Sequence, residues 1–323
     1  MVPDSSPNAP IAPMSVGNIV SSAIRLYRDR PKVYLGIALK ATSWAALPFV
    51  TIFPLFAFAA YNQINPFIWI VIVPLGLVAW FYCSAKSLLN TALISRIIFS
   101  FLVDRPETTP EAIGALNPKM WRFLWVQFLL QLLLFVVNLG LTIAQNFILL
   151  PLELFLGLGD SGLALLFVLL NLVIRLIFFE IYLYIYAYYF IVEVPVAIEP
   201  NLIATQALDR SFKLSNGSIF RIQGAFLIAT LISSPPYILA AVPFFFIIFN
   251  LVQSGFFLPG ELATIPSAEI WQSVGLAALM FFLIILVLNV FILPFWQALK
   301  SVMYYDLRTR KEGIDLNLSD RAL

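Results

Sequence analysis

Apolar residues gather into six unbroken runs, near positions 33–60, 66–88, 120–148, 162–192, 219–250 and 270–297. Each run is long enough to cross the hydrocarbon layer of a bilayer, which takes about 20 residues of α-helix. The runs do not alternate with period two, so they predict helices and not barrel strands. Several exceed the minimum length, which predicts tilt or interfacial ends. The fold class expected is all-α: a polytopic membrane protein with six transmembrane helices and three amphipathic interfacial helices on one membrane face.

The three short helices come from a different pattern. Over residues 15–29, Val16, Ile19, Val20, Ala23, Ile24 and Tyr27 recur at the spacing of one helical face, with Arg25, Arg28 and Asp29 largely off it. Over 109–117, Thr109 is read as the N-cap, Pro110 as the first helical residue and Glu111 as a first-turn acid. Over 201–215 the expected apolar face is Ile203, Ala204, Ala207, Leu208 and Phe212, and Asn216-Gly217 is a stop signal. Helices of this kind lie in the headgroup layer. Segments beginning at Ala23, Ala112 and Ala207 share one plan, a short amphipathic helix, a basic or aromatic junction and then a span. This suggests three repeated units, each a surface helix and a transmembrane hairpin.

Charge orients the spans. The connections 60–66, 149–161 and 251–269 hold no Lys or Arg, and their charges are Glu153, Asp160, Glu261 and Glu269. Every Lys and Arg except Arg175 lies in the N-terminal region, in 86–122 and 199–221, or in the C-terminal tail. The positive-inside rule then puts both termini in the cytoplasm. Residues 1–13, rich in Pro and Ser, lack the features of a signal peptide and read as a disordered tail. Residues 14–316 read as one transmembrane domain, with 317–323 as a C-terminal tail.

Composition narrows the chemistry further. The 323 residues are 61% hydrophobic and 11% charged, with a net charge of +2, no His and one Cys. Histidine catalysis, histidine metal sites and intrachain disulfides are therefore excluded, and no cofactor is implied. Cys83 reads as a small packing residue. The concentration of positive charge on one face suits anionic lipid headgroups as partners, with protein partners beside them and no nucleic acid.

Polar residues inside the spans are the candidate functional residues. In span three, Gln127, Gln131, Asn138 and Gln145 fall within about 40° of one another, with Thr142 at the edge. In span four, Asn171, Arg175, Tyr182 and Tyr186 share one face, continued by Tyr189 and Glu193. Either the two faces pack and exchange hydrogen bonds, or they line a polar cleft for a headgroup, an ion or a small solute. Arg175 is costly at mid-span and should face a partner or water, the expected partners being Asn138 and Gln131 or a carboxylate from another span. Glu180 points elsewhere and needs its own donor from another span. Ser233-Ser234-Pro235-Pro236 should kink or interrupt span five, as in the broken helices that line transporter sites.

Span six leads into Phe295, Trp296, Tyr304 and Tyr305, expected at the membrane interface, and then a charged, partly self-paired tail. The run Tyr304-Tyr305-Asp306-Leu307-Arg308-Thr309-Arg310-Lys311-Glu312-Gly313-Ile314-Asp315 resembles the ending of a bacterial six-helix family. That family is labelled the glycerophosphoryl diester phosphodiesterase membrane domain, or a related domain of unknown function. MSVGNIVSSAIRLYRDRP and ALDRSFKLSNGSIFRIQG are similar to its other helices, so the resemblance covers most of 14–316. It implies a fold and a bacterial cytoplasmic membrane, or a thylakoid membrane for a cyanobacterial member. It does not imply a reaction, because the label comes from members fused to a catalytic domain, and none is expected here. The expected function is a non-enzymatic scaffold, assembly factor or complex subunit. The alternative is a transporter or lipid-handling protein with a polar cleft between spans three, four and five.

Overall fold

The structure is a computed structural model describing residues 14–61, 66–156, 161–253 and 268–312. The tails 1–13 and 317–323, the motif residues Gly313, Ile314 and Asp315, and the loop charges Asp160 and Glu261 lie outside the described residues. Among those described there are helices and turns and no strand. The chain is an all-α polytopic membrane protein, with six helices long and apolar enough to cross a membrane.

In chain order the helices are α1 (Val16–Asp29), α2 (Pro31–Tyr61), α3 (Pro66–Leu102), α4 (Thr109–Leu116), α5 (Met120–Leu156) and α6 (Ser161–Tyr189). Then come α7 (Glu193–Ile198), α8 (Ala204–Ser215), α9 (Ile219–Gln253) and α10 (Ala268–Glu312). A short helix followed by two long ones occurs three times: α1 with α2 and α3, α4 with α5 and α6, α8 with α9 and α10. Proline opens both α2 and α3, where its missing N–H leaves no helical bond unmade.

Two long helices outrun their apolar stretches. α3 continues from residue 88 to Leu102, and α10 from residue 297 to Glu312. Hydropathy marks where lipid contact ends and not where the helix ends. The extensions are held by tertiary packing: Leu93, Ile94 and Ile98 of α3 are fully buried, and Ser301 Oγ on α10 donates to the Ser95 carbonyl on α3 at 3.1 Å.

The double proline does not interrupt α9, which runs unbroken past Pro235, Pro236 and Pro243. Pro235 cannot donate to the Leu231 carbonyl four residues back. Ser234 Oγ donates to that carbonyl instead, at 3.3 Å. Ser233 Oγ reaches the Ala229 carbonyl at 2.8 Å. The Ser234 hydroxyl thus takes the place of the N–H that Pro235 lacks, as membrane helices permit.

The short helices keep their predicted places with two corrections. The N-cap of α4 is Thr108 and not Thr109, and its N–H donates to Glu111 Oε2 at 2.8 Å. α8 starts at Ala204, and its buried face is Ala207, Ser211, Leu214 and Ser215. Ile203 and Phe212, on the apolar face expected to meet the headgroup layer, are exposed, and Phe212 also stacks on the Tyr188 ring at 4.7 Å. Gly217 takes φ +79° just beyond the helix, a conformation that favours glycine and stops α8 as its sequence predicts. The inward faces of α1 (Ile19, Val20, Ala23) and α4 (Ala112, Leu116) are buried within the protein.

The described residues fall into two compact units. One comprises 23–94 and 226–298. Aromatic pairs bind its helices: Trp44 with Tyr82, Phe49 with Trp80 and Phe282, Phe244 with Phe281, and Phe226 with Trp296. Thr42 Oγ1 accepts from Asn289 Nδ2 at 3.1 Å, and Cys83 is buried as a packing residue. The other unit comprises residues to Ser22, 95–225 and 299 onward. There α5 lies along α6, and both pack on α8. Exposed Leu132, Phe135, Val136, Leu139, Leu172, Val173 and Leu176 line the α5–α6 pair, as a lipid-facing surface requires.

Candidate functional site

Two polar regions stand out, both in the second unit: a groove between α5 and α6, and an ion-paired cap built on the end of α10.

The groove has a volume of about 480 Å³, and Asn138, Leu141, Thr142 and Gln145 of α5 line one side. Arg175, Phe178, Phe179 and Tyr182 of α6 line the other. Asn138, Thr142 and Gln145 come together because steps of three, four and seven residues return to one helical face. Arg175 shares the groove with Asn138, but its hydrogen bond runs to its own helix, Nε donating to Asn171 Oδ1 at 2.6 Å. Of the nine candidate residues, four line the groove: Asn138, Gln145, Arg175 and Tyr182. Asn171 joins them through Arg175. Gln127 and Gln131 do not line it; Gln131, exposed, lies seven residues back, about 10 Å along α5. Glu180 accepts a hydrogen bond from Gln223 Nε2 of α9 at 2.7 Å, the donor from another span that it needs. Tyr186 packs edge-on against Phe190, away from the groove. Span five lends no residue to the groove lining.

The cap is where sequence reasoning missed most. Tyr304, Asp306 and Leu307 are almost fully buried, at 0, 2 and 0% exposure, so this is not an interfacial belt with a solvated tail. Tyr304 Oη donates to Glu199 Oε1 at 2.6 Å, just after α7. The same oxygen accepts from Arg210 Nε on α8 at 2.9 Å. Arg210 Nη2 pairs with Glu312, which also takes Arg308 Nε at 2.8 Å. The Arg308 guanidinium sits 5.7 Å from the centre of the Tyr304 ring. Burial works against the Arg210 charge, yet the Glu199 and Glu312 carboxylates outweigh it and hold its pKa above the ordinary value.

A second cluster centres on Asp306. Its Oδ2 takes Arg310 Nε at 2.8 Å and Arg221 Nη1 at 3.3 Å, and its Oδ1 takes the Met14 N–H at 2.9 Å. The Met14 carbonyl closes the ring by accepting from Arg221 and Arg310. Nearby, Lys300 Nζ meets Glu193 Oε1 at 2.5 Å. Arg96 makes a two-pronged pair with Glu107, at 2.6 and 2.7 Å, and donates to the Ala197 carbonyl at 2.8 Å. Lys119 Nζ donates to the carbonyls of Val196 and Glu199.

The signal for half of this was in the sequence. Asp306 with Arg310 and Arg308 with Glu312 stand four apart, the spacing of helical ion pairs. Nothing local marks Glu199, Arg210 or Arg221 as their partners.

Chemically, the cap's carboxylates are consumed as acceptors and its cations as donors. Among the described residues no group of three His, Cys, Asp or Glu could hold a metal ion. No family model, no curated protein and no solved structure matches the chain.

Proposed function

We propose that this protein is a non-enzymatic integral membrane protein of a bacterial cytoplasmic membrane, or of a thylakoid membrane in a cyanobacterium. It acts as a scaffold, assembly factor or complex subunit, belongs to the six-helix group its C-terminal motif resembles, and has both termini in the cytoplasm. α1, α4 and α8 lie along the cytoplasmic membrane surface. The observation that supports this reading is the ion-paired cap. Five charged or phenolic side chains of the α10 motif, Tyr304, Asp306, Arg308, Arg310 and Glu312, are bound to partners within the chain. Such fixed groups make a rigid platform and not a reactive centre. Beside it Ile203 and Phe212 remain exposed, at 53 and 41%, as apolar contacts for a partner or for the membrane surface.

Cysteine labelling tests the orientation, and buried Cys83 contributes little background. Glu153→Cys should react with an impermeant reagent from outside intact cells, and Lys311→Cys only after lysis. Outside labelling of Lys311→Cys would overturn the topology. A photoreactive residue at Phe212 tests the scaffold: it should cross-link one defined protein in high yield, whereas the same residue at Leu172 should label lipid alone. Lipid-only labelling at both positions would remove the scaffold reading.

The second reading, a transporter or lipid-handling protein, has the α5–α6 groove in its favour. Its other support, a broken span five, is withdrawn, because α9 is continuous.

A further inference from the structure

We propose that the α5–α6 groove holds the anionic headgroup of a membrane lipid, with the Arg175 guanidinium as its charge partner. Arg175 is the middle residue of α6 (Ser161–Tyr189), so it sits about 21 Å from either end of the helix. A cation at that depth is costly without a partner. Its Nε is bound to Asn171, and no carboxylate pairs with it among the described residues. Both Nη groups, with four N–H donors, make no hydrogen bond among the described residues. Asn171 fixes the plane of the guanidinium, which preorganises the remaining fork for an oxyanion.

The rest of the lining suits that ligand. Asn138 and Gln145 offer amides, and Thr142 and Tyr182 offer hydroxyls, all able to donate to phosphate or carboxylate oxygens. No acidic side chain lines the groove, and Glu180, the nearest along α6, is engaged by Gln223. The groove therefore carries an uncompensated positive charge. A volume of about 480 Å³ fits a headgroup and not a whole lipid. Acyl chains have a place on the exposed apolar flank of Leu172, Leu176 and Ile177. That flank favours a lipid over a free anion, because only a lipid fills the groove and covers the apolar surface with one molecule.

The inference deepens the lipid-handling reading, because it requires binding at the groove but not movement of the lipid. The test uses the full-length protein in phosphatidylcholine vesicles containing phosphatidylglycerol with a photoreactive headgroup. Cross-links are expected in peptides covering 138–145 and 171–182, competed by unlabelled phosphatidylglycerol and not by inorganic phosphate. Arg175→Gln should reduce them about ten-fold or more, the loss of one charge-assisted hydrogen bond. Equal labelling by a photoreactive phosphatidylcholine, labelling confined to other helices, or competition by inorganic phosphate would each overturn the proposal. Those arms use the native sequence and stand even if Arg175→Gln fails to fold. A separate assay of lipid exchange between leaflets distinguishes the two readings: a headgroup cross-link without exchange sustains the site and ends the handling reading.

Discussion

Arg210 in the cap and Arg175 in the groove carry the same guanidinium in opposite settings. Arg210 touches two carboxylates, Glu199 and Glu312, and Glu199 is held in turn by Tyr304. Arg175 touches one neutral amide, Asn171, on its own helix. The first charge is neutralised within the chain and contributes to folding. The second is oriented by Asn171, and among the described residues no carboxylate neutralises it, which is the setting of the proposed headgroup. An intramembrane cation held by a neutral group is thus a better pointer to a ligand than a richer cluster whose charges are already paired.

Substitutions should separate the two regions. The largest effect is expected at Asp306, which takes two guanidinium groups and the Met14 N–H at 2% exposure. Asp306→Ala leaves Arg221 and Arg310 without their shared carboxylate and should cost about 3 kcal/mol or more. Thermal denaturation in mild detergent would register this as a large fall in Tm, and an unchanged Tm would contradict the cap as a stabilising element.

Tyr304→Phe should rank next. It removes one hydrogen bond to a carboxylate while Arg210 still satisfies Glu199, a loss of about 2 kcal/mol. The same melt measures it, and Arg210→Met combined with Tyr304→Phe should cost less than the two losses added, because both side chains serve one oxygen.

The smallest effect is expected outside the cap. Ser234→Ala frees the Leu231 carbonyl next to Pro235 and should cost about 0.6 kcal/mol, the usual size of such bonds in membrane proteins. A loss as large as that of Tyr304→Phe would mean that Ser234 is the main support of α9 at the prolines.

The sequence made the spans legible because lipid demands continuous apolar runs: five of the six long helices contain their predicted segments, and α6 ends at Tyr189, three residues short of the run read as 162–192. It made the polar faces of α5 and α6 legible as well, because helical spacing alone brings Asn138 to Gln145 and Asn171 to Arg175. The cap was not legible for the opposite reason. Glu199 and Arg210 stand about a hundred residues from Tyr304 and Glu312, and no local pattern records such a pairing. The same long-range partners carry α10 to Glu312, past the point where hydropathy stops. The short helices show a third case: their apolar spacing located them, but on α8 it did not tell which apolar positions pack within the chain, as Ala207 does, from those that stay exposed, as Ile203 does.

One paired measurement addresses the contrast directly: Tm and retained phosphatidylglycerol, both determined for Asp306→Ala and for Arg175→Gln in the full-length protein. The account predicts that Asp306→Ala lowers Tm sharply while the folded fraction keeps its lipid. It predicts that Arg175→Gln leaves Tm near that of the native sequence and loses the lipid. A sharp fall in Tm for Arg175→Gln with lipid still retained would show that Arg175 is a structural charge like those of the cap, and would contradict the account.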